Sequence, residues 1–85
     1  MISAPEATLI DQLLEFYCVW RAECAAVHTT YEQFAAAAPS ERTLAFAAYL
    51  AALDREESAA QVYADQIALV SSLRSCNAEY ARPAA

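Results

Sequence analysis

Glycine is absent from this 85-residue chain. Tight β-hairpin turns of types I′ and II′, phosphate-binding loops and the dinucleotide-binding fingerprint all depend on glycine, because their backbones adopt conformations that other residues resist. Its absence argues against a β-hairpin protein and against a nucleotide-binding enzyme. It is the composition expected of long helices joined by one short turn.

Basic residues and long apolar runs are also scarce. There is no lysine, and five arginines stand against eleven acidic residues, which gives a net charge of −6. An acidic surface repels phosphate backbones and anionic lipids, so we expect neither a nucleic-acid partner nor a membrane partner. The charge-free stretch from about Thr43 to Leu53 is much shorter than the roughly 20 residues of a membrane span. Because the first residues contain no basic region and Glu6 interrupts them early, we expect no signal peptide and a cytoplasmic bacterial protein.

The chain contains three cysteines, an odd number that cannot all pair in disulfides within one chain. Cys18 and Cys24 lie six residues apart on one predicted helix, on different faces, so they cannot bridge each other. We expect Cys18, Cys24 and Cys76 to be free thiols, buried as small apolar side chains in a reducing compartment.

Apolar residues are abundant, at 59% of the chain, but much of this fraction is alanine. Alanine favours helix and buries little surface, so a few large side chains must hold the fold. The length predicts a single helical-hairpin domain over residues 1–85.

The first helix is predicted from about residue 4 to residue 37. Ser3 can cap it, Pro5 is tolerated in its first turn, and Glu6 completes a capping box. Apolar residues then recur at alternating spacings of three and four, which is a heptad stripe. The stripe comprises Ile10, Leu13, Tyr17, Trp20, Cys24, Val27, Tyr31 and Phe34.

A turn at Ala38-Pro39-Ser40 ends this helix, because proline disfavours helical geometry in the residue before it. Ser40 is expected to cap a second helix over residues 41–80, followed by a frayed tail over residues 81–85. The second stripe comprises Phe46, Tyr49, Leu53, Glu56, Ala60, Tyr63, Ile67 and Val70.

Together these signals predict an all-α fold, an antiparallel two-helix hairpin with a coiled-coil-like seam. Residues whose numbers add up to about 79 should lie at the same height. This rule places Tyr17 near Val62 and Tyr63, Phe34 near Phe46, and Trp20 opposite Ala59 and Ala60.

Two helices share one seam, yet both carry further large apolar side chains, most of them expected toward the open end of the hairpin. Contiguous exposed apolar surface usually marks an interface. We therefore predict association, most simply as a homodimeric four-helix bundle, or with another protein partner. The predicted interface residues are Leu9, Leu14, Phe16, Val62, Leu69 and Leu73.

A charged cluster interrupts the second helix, and Glu56 falls on the seam. The height rule places this cluster opposite Arg21 and Glu23, which predicts an ion-pair belt of the kind that sets register. Arg21 is expected to pair with Glu57 or Asp54, and Arg55 with Glu23. The belt comprises Arg21, Glu23, Asp54, Arg55, Glu56 and Glu57. A carboxylate site for metal or acid–base chemistry is the alternative.

Catalytic and cofactor signals are weak. Di-iron helical bundles use Glu-x-x-His, and the residue three before His28 is Ala25. Cys24 and His28 share a helix face and are weak candidates for a metal site, but further ligands would be needed. We expect no enzyme and no cofactor, and we interpret the aromatic residues at heptad spacing as core.

Ala4-Pro5-Glu6, opening an alanine-rich helical hairpin, resembles the start of the mycobacterial PE proteins. That resemblance implies a secreted hairpin that pairs with a PPE partner and leaves by type VII secretion. The second helix lacks the Tyr-x-x-x-Asp/Glu export signal, because Tyr49 and Tyr63 are followed four residues later by Leu53 and Ile67. The Trp-x-Gly of the related WXG-type hairpins is missing as well.

The leading hypothesis is a non-enzymatic protein–protein interaction module, such as a small adaptor, assembly factor or regulator. A type VII-like secreted hairpin and a helical-bundle metal or small-ligand protein are the alternatives.

Overall fold

The protein is a hairpin of two long helices. The computed structural model describes the backbone of residues 4–81 and the side chains of residues 4–76. Helix α1 spans Ala4–Ala36 and helix α2 spans Arg42–Ala81, and the two pack against each other along their length. The predicted all-α hairpin is confirmed, with helix ends within one residue of those expected. Ser3, the expected first cap, and residues 82–85 of the expected tail lie outside the described residues.

The connection between the helices is short. The Glu41 amide donates to the Ala38 carbonyl at 2.9 Å, and the Ala45 amide donates to the Glu41 carbonyl at 3.0 Å. The carbonyl of a helix-capping residue accepts the first intrahelical hydrogen bond, so Glu41 occupies the cap that was expected at Ser40. Pro39 lies between the two helices, where it interrupts neither hydrogen-bond ladder.

Two of the three threonines in α1 bond back to the helix backbone. The Thr8 hydroxyl donates to the Ala4 carbonyl at 3.1 Å, and the Thr30 hydroxyl donates to the Ala26 carbonyl at 2.8 Å. These hydroxyls bond to carbonyls one turn earlier in the helix, so their polarity is satisfied locally.

Aromatic pairs set the register of the hairpin. Tyr17 meets Tyr63 with ring centroids 5.6 Å apart, and Phe34 meets Phe46 edge-on at 5.2 Å. Both neighbours were expected from the height rule, and both are confirmed. Near the turn, Tyr31 also meets Tyr49 at 5.6 Å.

The seam lies partly off the predicted stripes. Ala52 is fully buried and Gln66 nearly so, and neither belongs to the predicted stripe of α2. Ile67, expected in the seam, is 42% exposed. The helices approach along a line rotated toward Ala52 and Gln66, because a small side chain at Ala52 permits a close approach.

The molecule is long and thin. Its extents are 71 × 20 × 13 Å and its radius of gyration is 19.5 Å. A compact chain of this length would have a radius of gyration of about 12 Å. The hairpin is therefore a rod two helices wide, and its interior is limited to a single seam.

Candidate interaction surface

A polar centre lies in the middle of the seam. The Trp20 indole Nε1 donates to the Glu56 carboxylate at 2.8 Å, and the Cys24 thiol lies 3.9 Å from the same oxygen. All three side chains are partly buried. The carboxylate on the seam is thus held by two neutral donors from α1, which links the helices at one register.

Trp20 also takes part in the aromatic packing. Its ring stacks on Tyr63 with centroids 5.7 Å apart and planes 14° from parallel. Trp20 was expected to face Ala59 and Ala60, which are partly buried and lie between its two partners, Glu56 and Tyr63. The indole therefore spans the height of the two alanines and is anchored on either side of them.

One cross-helix ion pair forms within the charged cluster. Arg55 Nε lies 3.2 Å from Glu23 Oε2, which is the pairing expected for these two residues. The expected pairing of Arg21 with Glu57 or Asp54 is wrong. Among the side chains the structure describes, these three are exposed and make no ion pair. The reason is physical: exposed long side chains gain little from pairing and lose conformational entropy.

A second polar link lies nearer the open end. The Gln66 side-chain amide donates to the Leu9 carbonyl at 3.0 Å and to Gln12 Oε1 at 3.3 Å. A carbonyl oxygen has two lone pairs, so Leu9 can accept this bond besides one within its helix. The predicted apolar stripe does not include Gln66, because the burial of this polar side chain depends on its hydrogen bonds to Leu9 and Gln12.

An apolar groove runs along one side of the hairpin between the two helices. We call it the side groove, and it encloses about 510 Å³. Phe16, Val19 and Val62 form its apolar part, and the Glu23–Arg55 pair lies at its other end. Its lining comprises Phe16, Val19, Glu23, Asp54, Arg55, Ser58, Ala59 and Val62.

A second depression, on α1, adjoins the side groove. Leu14, Glu15 and Cys18 line it together with Phe16 and Val19, which belong to both. Together they form a continuous, mostly apolar surface near the middle of α1.

The predicted interface residues differ in exposure. Leu14, Val62 and Leu69 are exposed, with Val62 at 46%. Leu9, Phe16 and Leu73 are half-buried. Since the hairpin covers these three only in part, all six retain accessible apolar surface.

Apolar exposure is not confined to the open end, contrary to expectation. Four large side chains near the turn are exposed as well, and Leu44 is the most exposed of all, at 77%. The other three are Tyr31, Phe46 and Leu50. A hairpin only two helices wide leaves the outer face of each helix open along its whole length.

Cys24 and His28 do not come together as a metal site. His28 is exposed and its Nε2 lies 3.0 Å from Glu32, whereas Cys24 points to Glu56. Within the described residues, no group of three His, Cys, Asp or Glu side chains could hold a metal ion. The two neighbouring side chains on one helix face thus have separate partners.

The expectation of three buried thiols is wrong for two of them. Cys18 and Cys76 are exposed, and Cys24 is partly buried. The heptad arrangement explains the difference, because Cys24 alone belongs to the seam stripe and the other two fall outside it.

Over the residues that the structure describes, neither helix combines the length and apolarity needed to cross a bilayer. Comparisons with family models, with curated proteins and with solved structures gave no match to this chain.

Proposed function

We propose that this protein is a non-enzymatic interaction module whose apolar side binds a second copy of the chain to form a four-helix bundle. The observation that carries the proposal is the amount of surface left uncovered. The accessible surface is 6418 Å². A compact monomer of 9.2 kDa would expose about 4,900 Å².

The difference, about 1,500 Å², exceeds what a standard interface takes from each partner, about 800 Å². A dimer interface of standard size would therefore remove about half of this excess. It would also supply a core, since Ala52 is the only fully buried apolar residue among those described.

The side groove is the best-supported place for this contact. It is apolar around Phe16, Val19 and Val62 and has charged side chains at one end. An apolar centre with a polar rim is the usual composition of a protein interface. As a dimerising module of acidic composition, the protein would act in the cytoplasm as an adaptor, assembly factor or regulator.

The substitution Val62→Glu tests the proposal. A carboxylate in the apolar part of the groove would lose hydration in the bundle, so we expect dimer affinity to fall by at least about 30-fold. Light scattering after size exclusion measures the mass at several concentrations. The matched control is Leu44→Glu, which changes an exposed leucine of the same helix near the turn and should leave the dimer intact.

If Val62→Glu dimerised as strongly as the wild type and the Leu44→Glu control, the side groove would not be the interface. Circular dichroism of each variant checks that the helices are retained.

A further inference from the structure

The apolar side of the hairpin has a repeating order of side chains along its length. Leu9 and Phe16 are seven residues apart on α1, and Val62 and Leu69 are seven apart on α2. A spacing of seven returns to nearly the same face of a helix, about 10.5 Å further along. On this side of the hairpin, each helix therefore presents two large apolar side chains that are two helical turns apart.

Phe16 and Val62 lie at one height along the hairpin and form one apolar level, and Leu9 and Leu69 form a second. The hydrogen bond between the side chains of Gln66 and Gln12 lies between these two levels. Gln12 lies between Leu9 and Phe16, and Gln66, which donates to it, lies between Val62 and Leu69. The order from the turn toward the open end is thus apolar, amide, apolar. This order reads the same in both directions.

The next level toward the turn breaks that symmetry. Glu23 and Arg55 lie seven residues from Phe16 and Val62 respectively, and they form the ion pair at the end of the side groove. Asp54 lies beside them. At this level the surface is charged, with two carboxylates to one guanidinium.

We propose that two copies pack antiparallel, related by a two-fold axis at the level of Gln12 and Gln66. The proposal rests on the self-association proposed above and specifies its geometry. Phe16 and Val62 of one copy then lie against Leu9 and Leu69 of the other. The amide levels coincide at the axis, and the Glu23–Arg55 pairs lie at the two rims.

A parallel pairing of the two copies is less favourable, because it places each level of one copy against the same level of the other. The two charged levels, each with Glu23, Asp54 and Arg55, would face each other inside the contact, where unpaired carboxylates are costly. The antiparallel pairing keeps them at the edge, where water solvates them. It also sends the two turns to opposite ends of the assembly.

The distance between the turns tests the proposal. With Cys18, Cys24 and Cys76 changed to alanine, Ser40→Cys gives one labelling site at the turn. Ser40 lies 26 residues from Gln66, so an antiparallel dimer separates the two sites by about 80 Å. A parallel dimer brings them together. Donor-labelled and acceptor-labelled chains are mixed, and energy transfer is measured on material whose dimeric mass is confirmed by light scattering.

A dimer with negligible transfer supports the antiparallel arrangement. A dimer with efficient transfer overturns it and leaves self-association standing, whereas a monomeric mass for the unlabelled wild-type chain overturns both. Should the cysteine-free background fail to dimerise, a second experiment uses the natural background.

That experiment mixes Val62→Glu chains with Leu69→Lys chains. In the antiparallel dimer the new glutamate faces the new lysine, and the other contact, Leu69 against Val62, is unchanged. Mixing should restore a dimer at least about tenfold tighter than either variant alone. Equal weakness of the mixture and of the separate variants would overturn the antiparallel pairing.

Discussion

The contact between Trp20 and Glu56 joins the two helices through a carboxylate that is only partly open to water. Its N–O distance of 2.8 Å is that of a good charge-assisted hydrogen bond. Arg55, the residue before Glu56, pairs with Glu23 and leaves the Glu56 carboxylate to Trp20 and Cys24. The pair is therefore a local determinant of register in the middle of the rod.

A double-mutant cycle measures that contribution. Glu56→Ala and Trp20→Phe each remove the hydrogen bond, and we expect a coupling free energy of about 1 kcal/mol between them. Urea unfolding followed by circular dichroism gives the free energies of unfolding. Glu56→Gln retains an acceptor and serves as the control, with a smaller loss than Glu56→Ala. Additive effects of the two substitutions would mean that the bond adds nothing to stability.

At the scale of the helices, Ala52 is the described residue that the packing of α1 against α2 covers most completely. Its side chain is completely buried, so Ala52→Leu should force the helices apart and cost about 1–3 kcal/mol of unfolding free energy. Ala51, the preceding residue, is exposed and provides the matched control. Ala51→Leu should change stability by less than about 0.5 kcal/mol. Equal unfolding midpoints for the two variants in urea would contradict the observed seam.

The hairpin and its register could be predicted from the sequence, since heptad spacing and one proline specify two helices and their turn. The aromatic pairs Tyr17–Tyr63 and Phe34–Phe46 follow from that register. The seam's rotation toward Ala52 and Gln66 could not be predicted. This rotation depends on how closely small residues let the two helices approach, and the spacing of apolar residues in the sequence does not encode that distance.

The charged cluster was predictable only in part, for a similar reason. Arg55 reaches Glu23 across the groove, whereas Arg21 stays solvated. Height along the hairpin follows from residue number, but the balance between pairing and hydration depends on the local side-chain geometry. The polar contacts of Glu56 and Gln66 likewise required the three-dimensional structure.

At the scale of the whole molecule, the elongated shape and the exposed apolar surface both favour association with a second copy. A rod 71 Å long and two helices wide has too little interior to bury the large apolar side chains it carries. Two such rods packed side by side would form a bundle with an apolar centre. In the dimer that we propose, the hairpin is half of the stable unit, and the two halves meet at the side groove.

The mass of the wild-type chain in solution tests this central claim most directly. Sedimentation equilibrium at micromolar concentrations should give a mass of roughly 18 kDa, twice the 9.2 kDa of one chain, for a two-fold dimer. A mass that stays at 9.2 kDa across the same range, with helices intact by circular dichroism, would contradict it.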